Sequence, residues 1–281
     1  MEAYNTLALR LGNKMKKILN TRDDRQVVID IAPSADISSF FVFALPKSGS
    51  VLQDKVLEDV CAELNIPLVS IAKTAFNQGV EEGNFGSEIC ELFVKQGYGF
   101  YGFRYLPGYL KGFDLSNFKK ILLVRDPRDI LVSHYFSMKK SHAIPVGEMG
   151  NKLLKQRQSM QAMDVNEYAL SKAQSFYNIF RSYLSIENDL LKVFKYEDIV
   201  FKKSAWIRDI LEFLELRLES NKIDEIARRH DIFPKVEQPD SHIRKVIPGD
   251  HRHKLKPDTI YALNQVFAPV LTKYGYAVEQ S

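Results

Sequence analysis

The chain has 281 residues, 45% of them hydrophobic, with 39 basic against 35 acidic side chains and a formal net charge of +4. That is enough apolar material for a sizeable core and too small a charge excess for a protein that coats nucleic acid, so basic groups are expected in local pockets. Cys61 and Cys90 form no CxxC pair and no Cys/His cluster, which argues against a disulfide framework and against a zinc site. The start of the chain lacks the pattern of a signal peptide, and no apolar stretch reaches the roughly 20 residues of a spanning helix, so a soluble cytoplasmic protein is expected.

In residues 1–25, Leu7, Leu9, Leu11, Met15 and Ile18 stand among Arg10, Lys14, Lys16 and Lys17, which predicts a basic amphipathic helix on the surface. Val27 to Ile31 adds a strand. Phe40 to Leu45 is an apolar run of the kind that makes a buried strand, followed by Pro46-Lys47-Ser48-Gly49-Ser50. Val51, Leu52, Val56, Leu57, Val60 and Leu64 then recur at steps of three and four, so a helix begins at the turn. The first N–H groups of such a helix are unpaired and its macrodipole favours negative charge, which makes this turn an anion seat. Gly49 permits close approach of backbone to ligand, Ser48 and Ser50 add hydroxyls, and Lys47 adds a cation. The ATP-type loop GxxxxGK[ST] does not fit, because the lysine here precedes the glycine.

Leu68 to Ile71 reads as the next strand and residues 73–86, with three glycines, as a loop that holds Glu81 and Glu82. A helix over Ser87 to Gln96 and a strand over Tyr98 to Phe103 follow. Lys119 to Ser137 reads KKILLVRDPRDILVSHYFS: a strand over Ile121 to Val124, Arg125 at its end, and a helix from Pro127 that carries Ser133 two turns in. The polar stretch 138–166 reads as an insertion or lid. Helices are predicted over Asn166 to Leu184, Trp206 to Leu216, Ser220 to Arg229 and Pro257 to Phe267, with a last core strand over Leu190 to Phe194. The stretch HIRKVIPGDHR, His242 to Arg252, puts Arg244 and Lys245 in a loop. Three separate cationic loops suit a ligand with more than one anionic group. The six histidines, His134, His142, His230, His242, His251 and His253, are expected to be exposed.

These segments resemble the sulfotransferase superfamily, which takes sulfuryl groups from 3′-phosphoadenosine 5′-phosphosulfate (PAPS). PKSGS is similar to that family's 5′-phosphosulfate loop, VRDPRDILVSHY to its 3′-phosphate motif, RKVIPGDHR to its C-terminal loop, and Lys195-Tyr196-Glu197-Asp198 to its adenine-side segment. The resemblance implies a P-loop-NTPase-like α/β fold, a parallel sheet with helices on both faces, in one domain over 1–281. It further implies that Lys47, Ser48, Gly49, Ser50 and Val51 hold the 5′ end of PAPS, that Arg125, Ser133, Arg244 and Lys245 hold the 3′-phosphate, and that Tyr196 and Phe233 face the adenine. No metal is implied. The acceptor the resemblance implies is the hydroxyl of a carbohydrate, lipid or small metabolite.

The resemblance breaks at one chemically important place. Cytosolic members carry a base histidine in a segment like KTHLP, and the matching stretch here, Phe103-Arg104-Tyr105-Leu106-Pro107, has Tyr105 in its position. A phenol with a pKa of about 10 is a poor base near neutrality. Tyr105, Asp54 one turn into the first helix, and Glu81 or Glu82 stand as alternatives for the base. A protein that keeps the nucleotide pocket without transferring sulfate is the alternative reading.

Overall fold

The computed structural model describes residues 9–11, 14–141, 148–160, 162–232 and 246–278 of the chain. Its first elements are three antiparallel strands, β1 (Leu9–Leu11), β2 (Lys14–Asn20) and β3 (Gln26–Ile31), and not the helix expected over residues 1–25. Long-range pairing overrides local spacing here: β2 pairs with β3 from Met15↔Ile31 to Asn20↔Gln26, and Val27 and Ile29 are buried while their neighbours in β3 are not. The amide of Arg25 donates to Thr21 Oγ1 at 3.0 Å, closing the hairpin.

The second sheet carries the site. In chain order it is built from β4 (Phe40–Ala44), α1 (Ser50–Glu63), β5 (Leu68–Val69), α2 (Ile71–Asn77), β6 (Gly99–Phe103), β7 (Lys119–Val124) and α3 (Pro127–Phe136). Then come α4 (Glu148–Ser159), α5 (Val165–Ser182), β8 (Leu191–Lys195), α6 (Tyr196–Ile199), α7 (Lys203–Leu214), α8 (Ser220–Arg229), α9 (His251–Lys254) and α10 (Pro257–Tyr274). The strand order is β5-β6-β4-β7-β8, and every pairing is parallel.

All five residues of β4 are buried, which places helices on both sides of it. Side chains alternate between two cores. Phe41 and Phe43, with Phe100, Leu122 and Val124, pack with Ile130, Phe176 and Phe267 of α3, α5 and α10. Phe40, Val42 and Ala44, with Ile121 and Leu123, pack with Val56, Trp206 and Ile223 of α1, α7 and α8. A smaller cluster joins Leu153 of α4 and Met160 to Tyr135, Met138 and Tyr168, so part of the 138–166 stretch is anchored on α3 and α5.

Two expectations shift locally. The residues after β5 form α2 where a loop was expected from residue 73, because Ser70 caps it by accepting the Lys73 amide at 3.2 Å. Ser87–Leu92 is a 3₁₀ helix and not an α-helix.

The chain moves from β4 to β5 and β6 on one side, then to β7 and β8 on the other. The carboxyl end of β4 is therefore a switch point, where an open α/β sheet leaves a crevice between diverging connections. The segments that follow β4, β6, β7 and β8 all meet at that edge.

Candidate functional site

The turn after β4 needs left-handed backbone at two positions, one of them a lysine, which disfavours it, and one a glycine, which does not. Lys47 has φ 62 and Gly49 φ 91, both in the left-handed region. Ser48 makes the turn from inside: it is fully buried and its hydroxyl donates to the Leu45 carbonyl at 2.7 Å, so Ser48 does not line the cleft. Helix α1 starts at Ser50 with no side-chain cap on its N-terminus. A Cβ on Gly49 would lie 2.7 Å from Cδ2 of Tyr196, so close packing and φ independently require glycine there.

Arg125, at the end of β7, is nearly buried and joins three loops. Its Nη1 donates to the Lys47 carbonyl at 3.2 Å, its guanidinium lies 4.5 Å from the ring centroid of Tyr196, and its Nη2 is 3.5 Å from Asp129 Oδ2. Its Nε is buried with no hydrogen-bond partner among the described residues. Arg125 as a residue lines the cleft, and a fixed cation on a cleft wall fits an anion such as phosphate. Tyr196, the first residue of α6, donates its hydroxyl to the Val246 carbonyl at 2.8 Å and so ties the end of β8 to the C-terminal loop. Glu197 beside it accepts the Asp126 amide at 2.9 Å.

Asp129 is the brace that the sequence reading overlooked. Its side chain is wholly buried and accepts the amides of Gly249 at 2.6 Å and His251 at 2.9 Å, and Nδ1–H of His251 at 2.7 Å. Burial alone would raise its pKa, but His251 and Arg125 hold the carboxyl well below the usual range. The second aspartate of Asp126-Pro127-Arg128-Asp129, three residues into a helix, was the available signal.

Pro46, Lys47, Gly49, Ser50, Val51, Leu52, Arg104, Tyr105, Arg125, Ser133, His134, Tyr196 and Val246 line one cleft of about 460 Å³, within the range of small-molecule sites. Lys47, Arg125, Ser133 and Tyr196, from three separate motifs, thus share one space. Phe233, Arg244 and Lys245 lie outside the described residues. Asp54 points to Arg104, with which it forms an ion pair through both carboxylate oxygens, and burial raises its pKa. Tyr105 stands on the cleft wall 39% exposed, and burial together with Glu82 pushes its phenol far above the ordinary range. Three histidines are not exposed as expected. His134 lines the cleft, its Nδ1 hydrogen-bonded to the Tyr168 hydroxyl; His230 also lines it, bonded to Asp59 at 2.8 Å; His251 is buried against Asp129.

A parallel sheet whose switch-point turn, strand-end arginine and aromatic ring converge on one cleft defines an α/β domain built to bind an anionic ligand. The family model described as the sulfotransferase domain matches residues 106–275, more than half of the chain, and the chain belongs to that family. The turn 46–50 precedes the matched interval, so its place in the site rests on the geometry above. Among curated protein sequences none matches.

Solved structures that share the fold include three sulfotransferase-like proteins. A mouse sulfotransferase, SULT7A1, complexed with PAP is 17% identical, with a TM-score of 0.56 over 87% of this chain and 91% of that one. Retinol dehydratase in a complex with retinol and PAP is 13% identical, with a TM-score of 0.55 over 87% and 84%. The sulfotransferase domain from the curacin biosynthetic pathway is 13% identical, with a TM-score of 0.50 over 88% and 100%. No helix of the described residues is long and apolar enough to cross a membrane.

Proposed function

We propose that the protein moves the sulfuryl group of PAPS to the hydroxyl of a carbohydrate, lipid or small metabolite by in-line displacement. The observation that carries the reading is Arg125: a nearly buried guanidinium bonded to the carbonyl of Lys47, on the wall of the cleft that Lys47, Ser133 and Tyr196 also line. Family membership supports the reaction class, and two of the fold relatives were crystallised with PAP.

On this reading Lys47 and the amides of Gly49, Ser50 and Val51 face the 5′ end of the donor, with Ser48 shaping the turn behind them. Arg125 and Ser133, joined by Arg244 and Lys245, hold the 3′-phosphate, and Tyr196 with Phe233 stands on the adenine side. The donor supplies an activated sulfuryl group; the protein supplies position and positive charge where the departing phosphate gains negative charge. The candidates to take the acceptor's proton are Tyr105 on the cleft wall, Asp54, which is paired with Arg104, and Glu81 or Glu82. Residues 1–281 act as one domain, with 138–166 as its cover over the acceptor side.

A second reading, a PAP- or PAPS-binding protein without turnover, is favoured by one observation, the phenol of Tyr105 where the family's histidine stands. Transfer of labelled sulfate from PAPS to a panel of hydroxyl acceptors decides between the two. Label on an acceptor, lost in Lys47→Ala, supports the enzyme; tight PAP binding with no labelled product across the panel supports the binding protein.

A further inference from the structure

Beyond Tyr196 the cleft wall is made by three elements that are tied to one another. The Val200 amide donates to the Tyr196 carbonyl at 3.0 Å, which puts Val200 one helical turn on. The buried Lys203 donates from Nζ to the Val200 carbonyl and, at 2.6 Å, to Asp231 Oδ1, so the end of α6 is fastened to the segment that leaves α8. His230, directly before Asp231, bonds across to α1: its Nε2 lies 2.8 Å from Asp59 Oδ2, and Nη1 of Arg229 meets the same oxygen at 2.8 Å. Leu52 and Lys55 share a face of α1 with Asp59. Leu52, Lys55, Val200, His230 and Ile232 all line the cleft that Tyr196 lines.

Leu52, Val200 and Ile232 with the ring of Tyr196 make an apolar wall, which suits the flat face of a heterocyclic base better than it suits a phosphate. Its polar groups are few, and most are committed. The Tyr196 hydroxyl is bonded to the Val246 carbonyl, and the Lys203 ammonium to Val200 and Asp231. Lys55 can only donate. In the bond between His230 and Asp59 a carboxylate can only accept, so the hydrogen is on Nε2. The neutral ring is then left with Nδ1 as an acceptor, and it is this atom that a ligand in the cleft can use.

We propose that His230, held by Asp59, accepts a hydrogen bond at Nδ1 from the 6-amino group of the donor's adenine and thereby selects adenine over bases that carry an oxygen at position 6. The inference rests on the PAPS reading above and adds to it the residue that chooses the base. Hypoxanthine and guanine present a carbonyl lone pair where adenine presents an N–H. Against Nδ1 such a base sets two acceptors face to face with no hydrogen between them, and both lose their water for nothing. The selection is separate from the grip on the 3′-phosphate, which belongs to Arg125 and Ser133.

The test is calorimetry on the full chain with PAP, with inosine 3′,5′-bisphosphate, which differs from PAP in the base alone, and with 5′-AMP. Wild type is expected to bind PAP roughly 30-fold tighter than the inosine nucleotide. His230→Gln keeps an amide that reaches Asp59 but places no acceptor where Nδ1 was, so this ratio should fall to about threefold or less, through lost affinity for PAP. His230→Asn keeps an acceptor near the Nδ1 position and should hold the ratio above roughly tenfold. In both variants the preference for PAP over 5′-AMP, which reports the 3′-phosphate, should stay within about twofold of wild type. Equal affinity of wild type for the two bisphosphates, or a ratio that is the same in His230→Gln and His230→Asn, overturns the assignment of His230 and leaves the donor reading standing. The wild-type ratio needs no variant, so the assignment can fail even where a substitution disturbs folding. A wild type that does not prefer PAP to 5′-AMP overturns the donor reading, and the role of His230 with it.

Discussion

Gly49 and Tyr196 are 147 residues apart in sequence and pack so closely that a single methyl on the glycine would sit 2.7 Å from the tyrosine ring. The ring also receives Arg125 at 4.5 Å and bonds to the carbonyl of Val246, so one side chain sets the spacing between the turn after β4, the end of β7 and the C-terminal loop. Gly49→Ala would force both φ 91 and this clash. It is expected to cost roughly 1–3 kcal/mol of stability and at least tenfold in PAP affinity, read by denaturant melts and calorimetry.

Lys47→Ala should separate function from fold. Its side chain lines the cleft, and because alanine keeps the Cβ the backbone strain at φ 62 is left unchanged. Sulfate transfer is expected to fall by roughly 100-fold or more, while the melting temperature stays within a few degrees of wild type. A parallel loss of both would show that Lys47 is structural.

Asp129 predicts the behaviour of the fold in acid. Its folded pKa is depressed, so its contribution is complete above the unfolded carboxylate range near pH 4 and disappears as pH falls through the lower folded value. Asp129→Ala should cost roughly 3 kcal/mol or more at neutral pH by leaving His251 and Arg125 without their buried partner. It should also flatten the acid limb of stability against pH, measured by urea melts between pH 7 and pH 2.

Tyr196→Phe isolates one bond. Losing the hydroxyl that meets Val246 should cost about 1 kcal/mol and leave the Arg125 contact in place, whereas Tyr196→Ala removes the platform and should weaken PAP binding much further. Calorimetry on the two variants checks the difference.

The strands and the seat were legible because their signals are local. Phe40 to Ala44 is apolar at every position, which an all-parallel, doubly covered strand requires, and Pro127 marks the start of α3 without any partner. What stayed hidden depends on residues far apart. The Lys/Leu spacing before residue 25 mimics a helix until β3 supplies a partner for β2. The role of Asp129 exists only when Gly249 and His251 arrive from the other end of the chain. The burial of Glu82 was not legible in its loop, because the hydroxyl it accepts belongs to Tyr109, beyond the next strand.

On the proposed function, turn, strand end and aromatic ring grip one adenosine nucleotide that carries anionic groups at both its 3′ and 5′ ends. Calorimetry with PAP tests it most directly, with 5′-AMP, which lacks the 3′-phosphate, as the comparison. The account predicts PAP binding at least roughly 100-fold tighter than 5′-AMP, reduced at least tenfold by Arg125→Ala, since a charge-assisted phosphate contact contributes more than about 1.4 kcal/mol. Equal affinity for the two nucleotides, or PAP binding indifferent to Arg125, would contradict it.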